Sequence, residues 1–353
     1  FSDNDEGKQI VDNIFQLCMT KQISYAEVAI LYRTNSQSRA FEESLRRKNI
    51  PYIIYGGTSF YQRKEVKDLL AYLKLIVNPY DDEALKRVIN YPLRGIGDTS
   101  FQKLVLHATG QGIKIWDVIE TLNENKVIAG RTAESIEKFY TMIKAQQVIP
   151  DKNAYEAATE IAKQSGLMGE LYADKSTEGL SKYENLQSLL NSIKEFVEND
   201  EVIENVEMQT DKTLGSFLQS VTLLTDKDTQ KEDQPSVKLM TIHASKGLEF
   251  KAVFLVGLEE NLFPSQRSMY TVEDLEEERR LFYVAVTRAE SDLMVSFAAS
   301  RYKFGQINPC EPSRFLKELP AEIIEFKGAP NPDPSENPFA RKTMHYQPNA
   351  LLS

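Results

Sequence analysis

The sequence predicts an α/β fold, a parallel-sheet domain interrupted by an all-helical insertion. Three observations predict it. Helix and strand patterns alternate up to residue 57, as they do where crossover helices join parallel strands. Convincing strand patterns are then absent from 62 to about 230. They resume after the charged stretch 230–235 and alternate with a helix again. Two short strands at 28–55 make a poor core alone, so one interrupted domain is favoured over three consecutive ones. The expected boundaries are 1–62 and 231–320 for the sheet domain, 63–230 for the insertion and 321–353 for a disordered tail, proline-rich and polar from 326.

In chain order, Ile10, Val11, Ile14, Leu17 and Cys18 recur at helical spacing over 8–20. Val28 to Tyr32 is a continuous apolar run, the mark of a strand buried on both faces. A polar loop follows, with Ser36 or Ser38 placed to cap the next helix. That helix carries Phe41 and Leu45 on one face and ends in Arg46, Arg47 and Lys48, cations at the negative end of its dipole. Pro51 to Tyr55 reads as the next strand, closed by Gly56 and Gly57. A periodic helix runs from Gln62 to Val77 and stops at Asn78-Pro79. Within the insertion, Ile113 to Trp116 is ambiguous. Strands are expected again at 237–242, 252–257 and 292–297, with a helix from Thr271 toward Arg288.

The 353 residues, 41% hydrophobic and 27% charged, have the balance of an ordinary globular protein long enough for two or three domains. No apolar run reaches membrane-spanning length and no signal peptide opens the chain. Cys18 and Cys310 are far apart, which points away from a structural metal site and toward a reducing, cytoplasmic setting. A net charge of −10 argues against nucleic-acid binding by bulk attraction, though not by a local basic patch. The chain starts at Phe1, without methionine, and reads as a piece of something longer.

Two stretches carry the chemistry. Thr241, His243, Lys246, Gly247 and Glu249 follow a buried-type strand, at the carboxyl edge where open parallel sheets bind ligands. The Ser-Lys-Gly loop offers backbone N–H groups and a cation to phosphates, and Glu249 can accept from a ribose hydroxyl. The alternative is a polar strand-to-helix loop with a capping role. Arg288 ends the helix that Thr271 and Asp274 open as a capping box. By default such an arginine complements the helix dipole at the surface. The functional reading is an arginine finger on a transferring phosphoryl group. Two weaker candidates accompany them. The Arg94-Gly-Ile-Gly97 turn opens a helix whose free N–H groups, with Lys103, suit a DNA phosphate, or it is an ordinary tight turn. Phe304 in Arg301-Tyr-Lys-Phe-Gly305 places aromatics between cations, as in base stacking, or packs on its own domain. No Gly-x-x-x-x-Gly-Lys-Ser/Thr loop occurs, so the chain holds half a nucleotide site at most and is not expected to hydrolyse ATP alone.

Together the motifs identify a family resemblance. Thr-Ile-His-Ala-Ser-Lys-Gly-Leu-Glu-Phe (241–250) resembles motif V of the UvrD/Rep/PcrA superfamily 1 DNA helicases, and Glu-Glu-Arg-Arg-Leu-Phe-Tyr-Val-Ala-Val-Thr-Arg-Ala (277–289) resembles their motif VI. The segments 31–39, 56–61 and 94–97 are similar in the same order, and the likeness covers about 1–320. It implies a RecA-like motor domain, 2A, that lacks its own phosphate loop and is interrupted by a 2B domain. The N-terminal motor half of the same protein would bring the phosphate loop and the Mg²⁺-holding acids. The whole would be an ATP-dependent 3′–5′ DNA translocase and helicase of the bacterial cytoplasm, in repair or replication. By the resemblance, Arg288, Glu249 and Gly247 face ATP. Arg33, Asn35, Thr241, His243 and Phe304 line the single-strand track. Gly95, Ile96, Gly97, Thr99 and Lys103 meet duplex DNA. RNA polymerase or a repair factor enters as a further partner by family analogy, with no residue to carry it. A stand-alone DNA-binding or regulatory module without ATPase is the competing reading, favoured by the absent phosphate loop. A helicase–nuclease is weaker still, because no further acid cluster follows residue 290.

Overall fold

The computed structural model describes residues 2–147, 153–198, 211–225, 234–303, 306–320, 322, 324 and 325. Phe304, most of the 230–235 linker and the tail from 326 lie outside the described residues.

Helix α1 (Asp3–Lys21) leads into β1 (Val28–Tyr32), α2 (Ser38–Arg47) and β2 (Tyr52–Tyr55). The helical part then runs through α3 (Lys64–Val77), α4 (Asp82–Val88), α5 (Asp98–Gln111), α6 (Ile115–Glu120), α7 (Leu122–Asn125) and α8 (Arg131–Gln147). It continues with α9 (Ala154–Gln164), α10 (Leu167–Ala173), α11 (Thr177–Glu198) and α12 (Leu214–Thr225). Beyond it come β3 (Val237–Thr241), β4 (Phe250–Leu255), α13 (Val272–Val286), β5 (Ala289–Val295) and a hairpin, β6 (Ser300–Lys303) with β7 (Gln306–Pro309). The ambiguous Ile113–Trp116 stretch resolves as the entry to α6, with Trp116 buried in the helical core.

The large sheet has five strands in the order β2-β3-β1-β4-β5, every neighbouring pair parallel. β3, from beyond the helical part, lies between β1 and β2, from before it. Neither segment can close this sheet without the other. β1 is buried along its whole length, as its unbroken apolar run requires. Val28, Ile30 and Tyr32 face a layer built by Ile10, Val11 and Ile14 of α1 and Phe41 and Leu45 of α2. Ala29 and Leu31 face the opposite layer, where Phe263, Phe282 and Phe315 pack ring against ring. The helical part encloses a third, separate core, which Phe60 and Tyr61 already enter just ahead of α3.

One sequence expectation is corrected here. Neither Ser36 nor Ser38 caps α2, whose side-chain cap is absent. Ser38 Oγ instead donates to buried Glu42 (2.7 Å). Gln37 holds the loop, its Oε1 accepting the backbone N–H of Arg33 (3.0 Å) and Thr34 (2.9 Å). The cationic end of α2 is also only partly a dipole effect. Arg46 is buried between the rings of Tyr52 and Tyr61 and donates to Ser59 Oγ.

Candidate nucleotide and nucleic-acid interface

β3 delivers Thr241 to the carboxyl edge of the sheet, where its Oγ1 accepts the N–H of Ala244 (3.3 Å). The chain makes a short helical turn at His243–Ser245, pinned by the buried Ser245 hydroxyl on the Ile242 carbonyl (2.7 Å). Gly247 then takes φ +85°, a left-handed conformation, with no atom within 4 Å of where a Cβ would stand. Glycine is therefore required by the backbone and not by space. Lys246, Gly247, Leu248 and Glu249 are exposed, and Glu249 helps line an open cleft of about 500 Å³ with Tyr55, Lys238, Phe250 and Lys251.

α13 brings the second stretch to the same place. Thr271 caps it, accepting the N–H of Asp274 (3.1 Å). Past its last turn, the carbonyl of Arg288 accepts the N–H of Phe250 (2.9 Å), tying the helix end to the start of β4. The Arg288 guanidinium lies on the Leu248 carbonyl (Nη1, 2.9 Å), the Val284 carbonyl (Nε, 3.0 Å) and the Thr287 hydroxyl (Nη2, 3.1 Å). Among the described residues no carboxylate pairs with it. That sets Arg288 apart from Arg33, Arg39, Arg63, Arg279, Arg301 and Arg314, all of which are ion-paired.

Arg33 meets α13 nearer its middle. Its Nε and Nη2 form a forked pair with Glu278 (2.7–3.2 Å). Glu278 is only 5% exposed and also accepts from the Ser265 N–H and the Ser268 hydroxyl. His243 belongs to this group. Its pKa is lowered by burial first and by the Arg33 charge second, against the pull of Glu278 and Glu277. Asn35 is half-buried, and its carbonyl accepts from Arg63 Nη1 (2.9 Å). Arg301 is committed inward, forking onto Glu259 (2.7 Å) and reaching Glu6 (2.8 Å). It is a fixed anchor for the β6–β7 hairpin and not a cation free for a phosphate.

The 94–97 turn is a separate feature of the helical part. Arg94 is turned inward onto the Val88, Pro92 and Ser165 carbonyls and the Tyr72 hydroxyl, while Asn90 Oδ1 accepts the N–H of Arg94 and Ile96. Ile96 is buried beneath the turn. Gly95 (φ +76°) and Gly97, which caps α5, face open space, and Thr99 and Lys103 are exposed beyond them.

Sequence reasoning gave no role to Glu278 or Arg63. A signal for Glu278 was present, since it shares the buried face of α13 with Phe282 and Ala285 at i+4 and i+7. An acid on an apolar face needs a partner. Arg63 carried no comparable pattern.

The interrupted parallel sheet and the two stretches meeting at its edge define a C-terminal helicase domain. The chain belongs to the UvrD-like helicase C-terminal domain family, whose sequence profile matches residues 1–300. It is 40% identical over 327 residues to the ATP-dependent DNA helicase PcrA of Bacillus subtilis, covering 91% of this chain and 43% of that protein. It is 39% identical to DNA helicase II of Salmonella typhimurium over 92% of this chain and 44% of the relative. Against DNA helicase II of Escherichia coli it is 38% identical, again over 92% and 44%. The chain thus spans less than half the length of these relatives. No helix among the described residues is long and apolar enough to cross a membrane.

Proposed function

We propose that this chain is the C-terminal half of an ATP-dependent DNA translocase and helicase, moving 3′ to 5′ along one strand. Residues 1–62 and 231–320 form motor domain 2A, 63–230 form 2B, and 321–353 are the tail. The N-terminal motor half supplies the phosphate loop and the Mg²⁺ ligands. Among the described residues no cluster of His, Cys, Asp or Glu is arranged to hold a metal. The single observation that carries this reading is the state of Arg288. Its guanidinium rests on neutral acceptors, one of them the carbonyl beside Glu249. An anionic phosphoryl oxygen is a stronger acceptor than a carbonyl, so Arg288 is poised to exchange these partners. The relatives, an ATP-dependent DNA helicase among them, support the same assignment.

ATP, when bound, supplies the phosphoryl transfer that drives the cycle. Arg288 stabilises the charge developing on the transferred group. Glu249 accepts from a ribose hydroxyl, and the Gly247 turn lets the backbone approach. His243, Thr241, Arg33, Asn35 and Phe304 hold single-stranded DNA. Gly95, Gly97, Thr99 and Lys103 meet duplex phosphates without reading sequence, while Ile96, buried with its N–H on Asn90, holds the turn that presents them. Coupling is short-range, because the loop from Thr241 to Glu249 has the nucleotide at one end and DNA at the other. Cytoplasmic DNA repair or replication is the setting that fits such an activity, with RNA polymerase or a repair protein as a further partner.

The test is DNA-stimulated ATP turnover by the chain alone and joined to an N-terminal motor half carrying a phosphate loop. No turnover alone and stimulated turnover when joined is expected. Turnover by the chain alone, or DNA binding with none in either form, overturns the proposal.

A further inference from the structure

Helix α11 has two faces of opposite character. Leu186, Leu189, Leu190 and Ile193 lie in the helical core. Glu184, Ser188, Asn191, Glu195 and Glu198 recur at three- and four-residue spacing along the other side, a polar stripe. That stripe meets the sheet domain. Ser36 donates to Glu184, Arg39 to Ser188 (3.2 Å), Asn4 to Glu195, and Asn191 to the Tyr302 carbonyl (2.7 Å). Along α11 the seam is thus built from hydrogen bonds and charges, with apolar packing where Phe60 and Tyr61 enter the helical core. Water can replace such contacts at little net loss, whereas it cannot replace apolar packing.

At the head of the seam stands Arg63, 8% exposed, where the chain leaves the sheet domain for α3. Its Nη1 donates both to the Asn35 carbonyl (2.9 Å) and to Asn185 Oδ1 on α11 (2.8 Å). Nη2 donates to Ser38 Oγ (2.7 Å) and Nε to the Thr58 carbonyl (3.3 Å). Glu42 lies 3.9 Å away and the Phe60 ring sits beneath the guanidinium. Asn185 is itself fixed, donating to Glu65 Oε1 (2.6 Å). One planar donor therefore joins the loop after β1, the loop after β2 and a helix of the insertion. Few side chains other than arginine offer donors in that many directions.

We infer that Arg63 is a positioning residue that sets the Asn35 loop according to whether α11 is docked, so that the helical insertion controls the grip on single-stranded DNA. The DNA half of this statement rests on the function proposed above; the mechanical half does not. When α11 is docked, Asn185 holds the guanidinium in the plane that also holds the Asn35 carbonyl. When α11 leaves, Arg63 loses its one partner on α11 and the 33–38 loop loses a fixed point.

The test is amide hydrogen exchange on the chain with Arg63→Lys, which keeps the charge but loses the fork, and with Asn185→Ala, which alters only the insertion. Both should accelerate exchange at residues 33–38, by about tenfold for Arg63→Lys, equivalent to one charge-assisted hydrogen bond. The β1 and β3 amides should stay as protected as before. Asn185→Ala provides the result if Arg63→Lys does not fold. Unchanged exchange at 33–38 in Asn185→Ala, or acceleration spread evenly over the strands, overturns the coupling. Asn35→Ala separates the two claims through the oligo-dT concentration that half-saturates ATP turnover in the two-motor enzyme. A value unchanged by Asn35→Ala removes the DNA role of the loop and leaves the exchange result to decide the positioning role.

Discussion

Arg288 and Arg33 both lie against α13, yet their surroundings prepare them for different work. Arg33 is matched by a nearly buried carboxylate with a second set of donors, so its charge is balanced within the fold, whatever DNA contact its exposed side makes. Arg288 has only carbonyl and hydroxyl partners. Replacing Arg288 with Ala in the two-motor enzyme should lower ATP turnover by about 10³ or more while nucleotide binding and thermal stability stay close to normal. Arg288→Lys should recover little, because an ammonium cannot reproduce the planar fork. Steady-state ATPase beside equilibrium nucleotide binding checks this, and turnover within a few-fold of normal defeats the arginine-finger role. Glu278→Gln should do the reverse. It leaves Arg33 half-buried without its counter-charge and should destabilise the fold by about 2–3 kcal/mol, less than for a fully buried pair because Arg33 keeps some contact with water. Urea unfolding measures it. The same change removes one of the charges that hold the His243 pKa up against Arg33, so His243 should titrate lower still in an NMR titration.

The elements themselves were largely legible in the sequence, for reasons visible in particular segments. Val28–Tyr32 had to be a central strand because an unbroken apolar run can be buried on both faces only in the middle of a covered sheet. Thr271 opened α13 as its spacing to Asp274 suggested. Strand ends were less legible. β4 begins at Phe250 and not at 252, because its partner β5 already starts at Ala289 and the register shifts between Phe250 and Ala252. That information sits in another strand, out of reach of local periodicity. The cap of α2 failed for a similar reason: Ser38 is engaged by Glu42 and Arg63, contacts made only after folding. Two element-level predictions follow from the site's own scaffold. Thr271→Ala should cost about 1 kcal/mol of stability by removing the α13 cap. Gly247→Ala should cost about 1–2 kcal/mol through its left-handed backbone, despite open space for the methyl group. Thermal unfolding compares the two; a neutral Gly247→Ala means the loop can adopt another conformation.

At the scale of the whole molecule, the interleaved sheet and the polar seam divide the labour. β3 between β1 and β2 binds the two outer segments into one rigid body, whatever the helical insertion does. The insertion has its own core, which Phe60 and Tyr61 of the first segment also enter, and its α11 meets that body through a polar stripe where charges collect without balance. Glu195 of α11 faces Arg39 and Glu43 of α2 and Asp3 and Asn4 of α1. Asp3 in turn reaches Arg301, which already holds Glu6 and Glu259. The pKa of Glu195 is pushed up to about 7, by burial first and then by Asp3 and Glu43, against the opposing pull of Arg39. A carboxyl with a raised folded-state pKa binds its proton more tightly folded than unfolded. Its contribution to stability is then full below its ordinary value near 4.5 and is lost as pH rises through about 7. The stability of the native chain should therefore fall relative to Glu195→Gln between those two values and run parallel to it outside them. Paired urea titrations from pH 4 to 8.5 read this directly, because subtracting the variant cancels the other titrating groups that the two chains share. A difference that stays constant across the range means that Glu195 binds its proton equally well folded and unfolded, and overturns the raised pKa. A difference that grows toward neutral pH, together with faster exchange along α11, means that the seam gives up a proton as it opens.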